Sequence, residues 1–180
     1  MRVLCPLGVT LRQRGDAWHK TTKHWPGNID EWTHYLHGPD NNAVAADSVI
    51  DAPQHVQWIG GPKWARHHNH LSSTSAMVSA RGRTFAIVDE GPAASLALPP
   101  EWNLVARDAF NGVVLWKKPI EDWIGNLYGL KSGPATLPRR LVVAGDTICV
   151  TLGIEAPVSV LDANTGEILR TIQGTEGTEE

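Results

Sequence analysis

The sequence is poor in several features that would narrow its function at once. It carries two cysteines, Cys5 and Cys149, in 180 residues. That separation offers no metal-ligand spacing, no redox pair and no disulfide framework. Cys149 lies in an apolar run and reads as a buried, inert thiol. No apolar stretch reaches the roughly 18 residues a membrane helix needs. The start, MRVLCPLGVTLRQR, sets Arg2 before apolar residues, but Pro6 and Gly8 interrupt them. Arg12 and Arg14 follow without a small-residue cleavage site, so no export signal is read. Basic charge is also scarce. Sixteen Lys and Arg against nineteen Asp and Glu leave a net charge of −3, which excludes the concentrated basic surface of a general nucleic-acid binder. The nearest approach to one, Arg12, Arg14, Lys20 and Lys23, reads as a solvated face.

Helical periodicity is almost missing too. What remains is 42% apolar and 19% charged, ordinary for a globular chain, and long enough for one domain with a real core. All eight histidines fall between His19 and His70, and the last hundred or so residues read as short strands divided by Gly, Asn and Asp turns. That pattern predicts an all-β fold, sandwich or propeller.

The second half contains an internal repeat. RGRTFAIVDE, a loop, and LVARDAFNGVVLWKKPI are followed by AGDTICVTLG, a shorter loop, and VSVLDANTGEILRTIQG. Gly82 aligns with Gly145 at an offset of 63; Asp108, Ala109 and Gly112 align with Asp162, Ala163 and Gly166 at an offset of 54. The difference of nine is absorbed in GPAASLALPP, as expected of a surface loop. Each copy predicts four strands, at 75–80, 84–89, 103–108 and 113–118, then at 140–144, 147–152, 157–162 and 167–172. In the shared Asp-Ala-x-x-Gly unit, Asp opens a turn by bonding its own backbone, and Gly takes a positive φ without steric cost. Ala is small enough to lie beneath a large ring.

Asp108, Ala109, Gly112 and Trp116 together resemble the tryptophan-docking repeat of pyrroloquinoline-quinone (PQQ)-type β-propellers. In that family the Trp docks on the Ala–Gly turn of an adjacent blade. The second copy keeps Asp162, Ala163 and Gly166 but places Arg170 where Trp is expected. Upstream, Trp32, Gly38, Asp40, Asn41, Asn42, Pro53 and Trp58 are similar to the opening of such a propeller, with an outer strand ending in Trp58. The resemblance implies the N-terminal part of a propeller over residues 29–180, of the kind found in large planctomycete-like bacterial proteins. About two four-stranded blades would be present, together with an N-terminal strand segment. Residues 2–24 read as two strands joined by turns, and Arg2–Gly8 is similar to the last strand of a methyltransferase-like domain. Residues 1–28 are accordingly expected to be the tail of such a domain or a linker.

Two blades do not complete a ring of four to eight, so a fragment is expected, with missing blades or another protein as partner. The resemblance also implies PQQ with calcium as cofactor in its catalytic members. The adjacent cysteine pair that many of them carry over the quinone is absent here, and the propeller lipoprotein of the outer-membrane assembly machine uses the repeat without PQQ. No catalytic constellation is seen, and the expectation leans against an enzyme.

Other candidate sites compete with plainer readings. His34, His37 and the His67, His68, His70 cluster offer imidazoles suited to zinc, copper or nickel. No HExxH and no carboxylate or cysteine partner at a familiar spacing accompanies them. Asp89 and Glu90 can do acid–base work if they face a channel, but the preferred reading is a solvated strand end. Ser72, Ser73, Thr74 and Ser75 lack a Gly-x-Ser-x-Gly context and read as a loop entering a strand. Trp102 and Trp123, expected in loops, are conceivable sugar-stacking platforms, although core packing is preferred.

Overall fold

Alternation of apolar and polar residues builds most of this structure, a computed structural model that describes residues 4–49, 52, 54, 56–63, 73–95, 98–121, 123 and 136–178. Among these residues there are ten strands: β1 (Val9–Arg14), β2 (Ala17–Thr22), β3 (Thr74–Ala80), β4 (Arg83–Asp89), β5 (Trp102–Asp108), β6 (Val114–Pro119), β7 (Leu141–Ala144), β8 (Thr147–Thr151), β9 (Val158–Asp162) and β10 (Ile168–Ile172). One 3-10 turn, Leu137–Arg140, precedes β7. The all-β expectation holds, and the strands of both repeat copies lie within a residue of their expected ends. No closed propeller is formed among the described residues.

The chain makes two compact units, Met1–Asp30 with Ala45–His55, and Glu31–Val44 with Val56–Glu180. In the first, β1 and β2 form an antiparallel hairpin that pairs Val9 with Thr22 and Arg14 with Ala17. Arg12, Arg14 and Lys20 are exposed on it, as a solvated face should be. The returning segment is tied in by two carboxylates. Asp47 accepts from the Asp30 amide at 2.6 Å, and Asp30 accepts from the Ala46 amide at 2.5 Å.

The second unit holds two four-stranded antiparallel meanders, β3-β4-β5-β6 and β7-β8-β9-β10. In β3 the small residues Ala76, Val78 and Ala80 point inward while Met77 is left in solvent. In β4, Phe85 and Ile87 are fully buried. These side chains share one core with Leu141, Val143, Ile148 and Leu161 of the second sheet. At roughly 1.5–3 kcal/mol for each large apolar side chain buried, this shared core is the main attraction between the sheets. The inner strands β3 and β7 lie side by side, and the extended pair Trp32–Thr33 bonds to both. Trp32 O accepts from the Ser79 amide at 2.6 Å, and Thr33 O from the Val143 amide at 3.0 Å. A strand edge that would otherwise stay unpaired is thus covered.

Register corrects the alignment of the repeats. Ala80 pairs with Arg83 across the β3–β4 turn, and Ala144 with Thr147 across the β7–β8 turn. Ala80 therefore corresponds to Ala144, an offset of 64, and Gly82 to Asp146 rather than to Gly145. The glycine has moved within the turn. Arg81 and Gly82 both have positive φ (50° and 72°) in the first turn, whereas Gly145 (61°) alone does so in the second. Two turn types satisfy the same two-residue hairpin, and matching glycine to glycine conceals the difference.

Candidate functional site

The two Asp-Ala-x-x-Gly units fold into the same turn. Asp108 Oδ1 accepts from the amides of Phe110 (2.8 Å) and Asn111 (3.1 Å); Asp162 Oδ1 accepts from those of Asn164 (2.7 Å) and Thr165 (3.1 Å). The Gly112 and Gly166 amides return to the Asp108 and Asp162 carbonyls, both at 2.8 Å, and both glycines have a φ of 74°. The donated Asn164 amide bond is the main cause that lowers the Asp162 carboxyl below its ordinary value; partial burial opposes it, and the Thr165 amide and the Arg83 charge reinforce it. The Ala109 and Ala163 amides reach back to the inner hairpin turns, at Gly82 O (2.8 Å) and Asp146 O (2.9 Å).

A tryptophan from the preceding part of the chain lies on each turn. Trp116, on β6 of the first sheet, donates its indole N–H to Ala163 O of the second sheet at 3.1 Å. Trp58 donates to Ala109 O of the first sheet at 2.9 Å. A Cβ on Gly166 would come within 2.7 Å of the Trp116 ring, and one on Gly112 within 2.5 Å of the Trp58 ring. The residue that admits the ring is therefore the glycine. Ala163 supplies the acceptor and is itself fully buried. Trp58 does not end an outer strand as expected. Residues 56–60 have no ladder partner, and the segment is held by its indole and by Gln57 Nε2, which donates to Phe110 O at 2.6 Å.

A second contact between the sheets escaped sequence reasoning. Arg83, at the start of β4 and only 8% exposed, donates from Nη2 to Asp146 Oδ1 at 2.7 Å and to Gly145 O at 3.3 Å. Its Nη1 donates to Asn164 Oδ1. Arg81 also pairs with Asp146, from a side chain 54% exposed. Both the β7–β8 turn and the Asp162 turn are thereby clasped from the first sheet. The one signal in the sequence was an arginine at an inward-facing strand position, two residues before Phe85.

The remaining candidates separate. His67, His68 and His70 lie outside the described residues, as do Pro53 and Ser72. His34 Nδ1 meets Thr33 Oγ1 at 2.8 Å, and the His37 ring packs edge-on to Trp32 at 5.3 Å, so both serve the 31–38 turn. Among the described residues no three His, Cys, Asp or Glu side chains converge to hold a metal. Asp89 is not a solvated strand end. It is 6% exposed, and its Oδ1 accepts from the Gly91 and Glu101 amides, both at 2.9 Å, building the β4–β5 loop. Glu90 pairs with Lys117 Nζ at 2.7 Å. Ser75 accepts from Trp123 Nε1 at 2.9 Å. Trp102 opens β5 instead of a loop, and it and Trp123 are buried, so neither presents a face to a sugar. Cys149 is half-buried rather than buried, because it lies on the face of β8 opposite Ile148 and Val150. No helix among the described residues is long and apolar enough to cross a membrane.

Comparison with protein-family models gave no match, and comparison with curated proteins gave none.

Proposed function

We propose that this chain is a non-catalytic segment of a PQQ-like β-propeller, serving as a scaffold or ligand-binding platform within a larger protein. One observation carries the reading: the Trp116-on-Gly166 contact repeats the Trp58-on-Gly112 contact in ring placement, acceptor and turn geometry. A contact made twice in tandem is the mark of a repeat protein in which each unit is stabilised by its neighbour. The charged and polar groups singled out for chemistry, Asp89, Glu90 and Ser75, are engaged in loop and packing contacts.

The competing reading is a PQQ- and calcium-dependent oxidoreductase. Titration of the purified protein with PQQ and calcium, followed by absorbance and by dye-linked alcohol or sugar oxidation, separates the two. The scaffold reading expects neither a saturable spectral change nor oxidation. Saturable PQQ binding with turnover would replace it by the quinoprotein reading.

A further inference from the structure

Three side chains of the first sheet and its β4–β5 loop meet around one carboxylate. Lys117, on β6, donates from Nζ to both oxygens of Glu90, to Oε1 at 2.7 Å and to Oε2 at 2.8 Å. Asn103, on β5, donates from Nδ2 to the same Oε2 at 3.2 Å and to Glu101 O at 3.3 Å. Two acceptors around Nδ2 fix which way round the carboxamide lies. A single carboxylate oxygen thus touches both an amine and the nitrogen of an amide.

Register brings the amine and the amide together. Val105 pairs with Lys117 and Asn103 with Pro119, so Lys117 stands diagonally across from Asn103 on one face of the sheet. Such positions are about 7–8 Å apart, within reach of a long side chain. Glu90 is held over them by its own amide, which donates to Glu101 O at 2.9 Å. The second sheet has Pro157 and Thr171 at the places of Asn103 and Lys117, so a meander of this kind does not require the trio. As an ion pair it stabilises little, because the lysine side chain is 42% exposed.

We propose that this is a self-modification site, at which Lys117 Nζ and Asn103 Cγ join in an isopeptide bond with loss of ammonia. The Lys117 ammonium gives a proton to Glu90, and the free amine attacks Asn103 Cγ. The proton that Glu90 took passes from Oε2 to Nδ2, and the Cγ–Nδ2 bond breaks. A second proton shed by the attacking nitrogen leaves with the ammonia as ammonium. Glu90 ends as the carboxylate it began as, one amide has replaced another, and nothing is oxidised or reduced. One group serves as base to the attacker and as acid to the leaving nitrogen, and the fold supplies the proximity. Each chain reacts once, without any other molecule, so the inference stands apart from the scaffold reading. The link fastens β6, the outermost strand of the first sheet, to β5 beside Trp116. It thereby restrains the local opening that would carry the docking ring away.

The experiment is an intact-mass measurement on the purified full chain, followed by protease mapping. The protein should be lighter than its sequence mass by one ammonia, with a branched fragment that joins Asn103 to Lys117. Lys117→Arg keeps a cation beside Glu90 but has no amine to attack, and it should retain the full mass. Glu90→Gln leaves both reactants in place without a proton carrier and should form the link about a hundredfold more slowly. Full sequence mass in the unaltered protein after prolonged incubation, or an equal rate in Glu90→Gln, would overturn the proposal. So would a loss of ammonia that persists in Lys117→Arg, which would place it instead in a cyclic imide such as Asn111–Gly112 can form. Should a variant fail to fold, the mass of the unaltered chain and its branched fragment still decide.

Discussion

The ring of Trp116 occupies the space that a side chain on Gly166 would fill: a Cβ there would sit 2.7 Å from the indole. The two residues are halves of one contact, since the indole N–H reaches the Ala163 carbonyl only if the ring lies flat on the turn. Their substitutions should therefore couple. Trp116→Ala is expected to cost about 2–4 kcal/mol. Gly166→Ala should cost about 3 kcal/mol, combining the positive φ with displacement of the ring. Once the ring is gone, Gly166→Ala should cost only the backbone part, about 1–2 kcal/mol. Urea unfolding of the two single variants and the double variant reads the cycle. Simple additivity would show that ring and glycine are not in contact.

The clasp at Arg83 offers a different comparison. Arg83 is nearly buried, while its partner Asp146 is about half exposed. Removing the carboxylate by Asp146→Ala leaves a buried cation held by Asn164 and Gly145 alone, with an expected cost of about 1–2 kcal/mol after solvent screening of the exposed partner. Arg83→Met replaces the charge by an apolar chain of similar length beside Phe85 and should be nearly neutral. Thermal unfolding of the two variants checks the order. A greater loss for Arg83→Met would mean that the hydrogen bonds to the turns, not the buried charge, dominate.

How far the sequence reveals this architecture depends on the kind of contact. Strands β3 to β10 were legible because apolar alternation and Asp/Gly turns are local signals, and the Asp162 turn was legible for the same reason. Trp58 was visible as a tryptophan, but its partner turn lies 51 residues away, and the irregular segment that delivers it carries no period. The Arg83–Asp146 clasp spans 63 residues and pairs types that are usually solvated. Trp102 sits at a strand end beside a Pro-rich loop, where composition alone favours a loop. The outward position of Cys149 follows from alternation alone, since Thr147, Cys149 and Thr151 share the face of β8 opposite Ile148 and Val150, but its apolar neighbours on both sides hide it when the run is taken as a whole.

Acid sensitivity follows from Asp162. Its folded-state carboxyl lies below the ordinary value of 3.8, so in the interval between the two values the unfolded chain binds the proton more readily. Stability contributed by this group is present above the ordinary value and lost as pH falls through the lowered one. Asp162→Asn retains an oxygen for the Asn164 and Thr165 amides but cannot titrate. Its urea midpoint should fall less steeply than that of the unaltered protein from about pH 4 downward. Parallel profiles would assign the acid loss to other carboxylates.

The first hairpin turn carries a residue poorly suited to it. Arg81 has a φ of 50° and Gly82 one of 72°, the two positive values of a turn that favours Asn-Gly. An arginine there bears about 1–2 kcal/mol of left-handed strain. In return it makes an ion pair with Asp146 from a side chain that is more than half exposed, which contributes at most about 0.5 kcal/mol. Its amide bond to Glu31 Oε1, at 2.8 Å, uses the backbone and survives any replacement but proline. Strain relief therefore outweighs the lost pair. Arg81→Asn is expected to raise stability by about 0.5 kcal/mol, a shift in Tm of about 1–2 °C for a chain of this size. Arg81→Val, whose branched side chain tolerates positive φ least, should lower stability by more than about 1 kcal/mol. Calorimetry on the pair decides the matter, and a loss of stability in Arg81→Asn would show that the ion pair to Asp146 is worth more than the strain it requires.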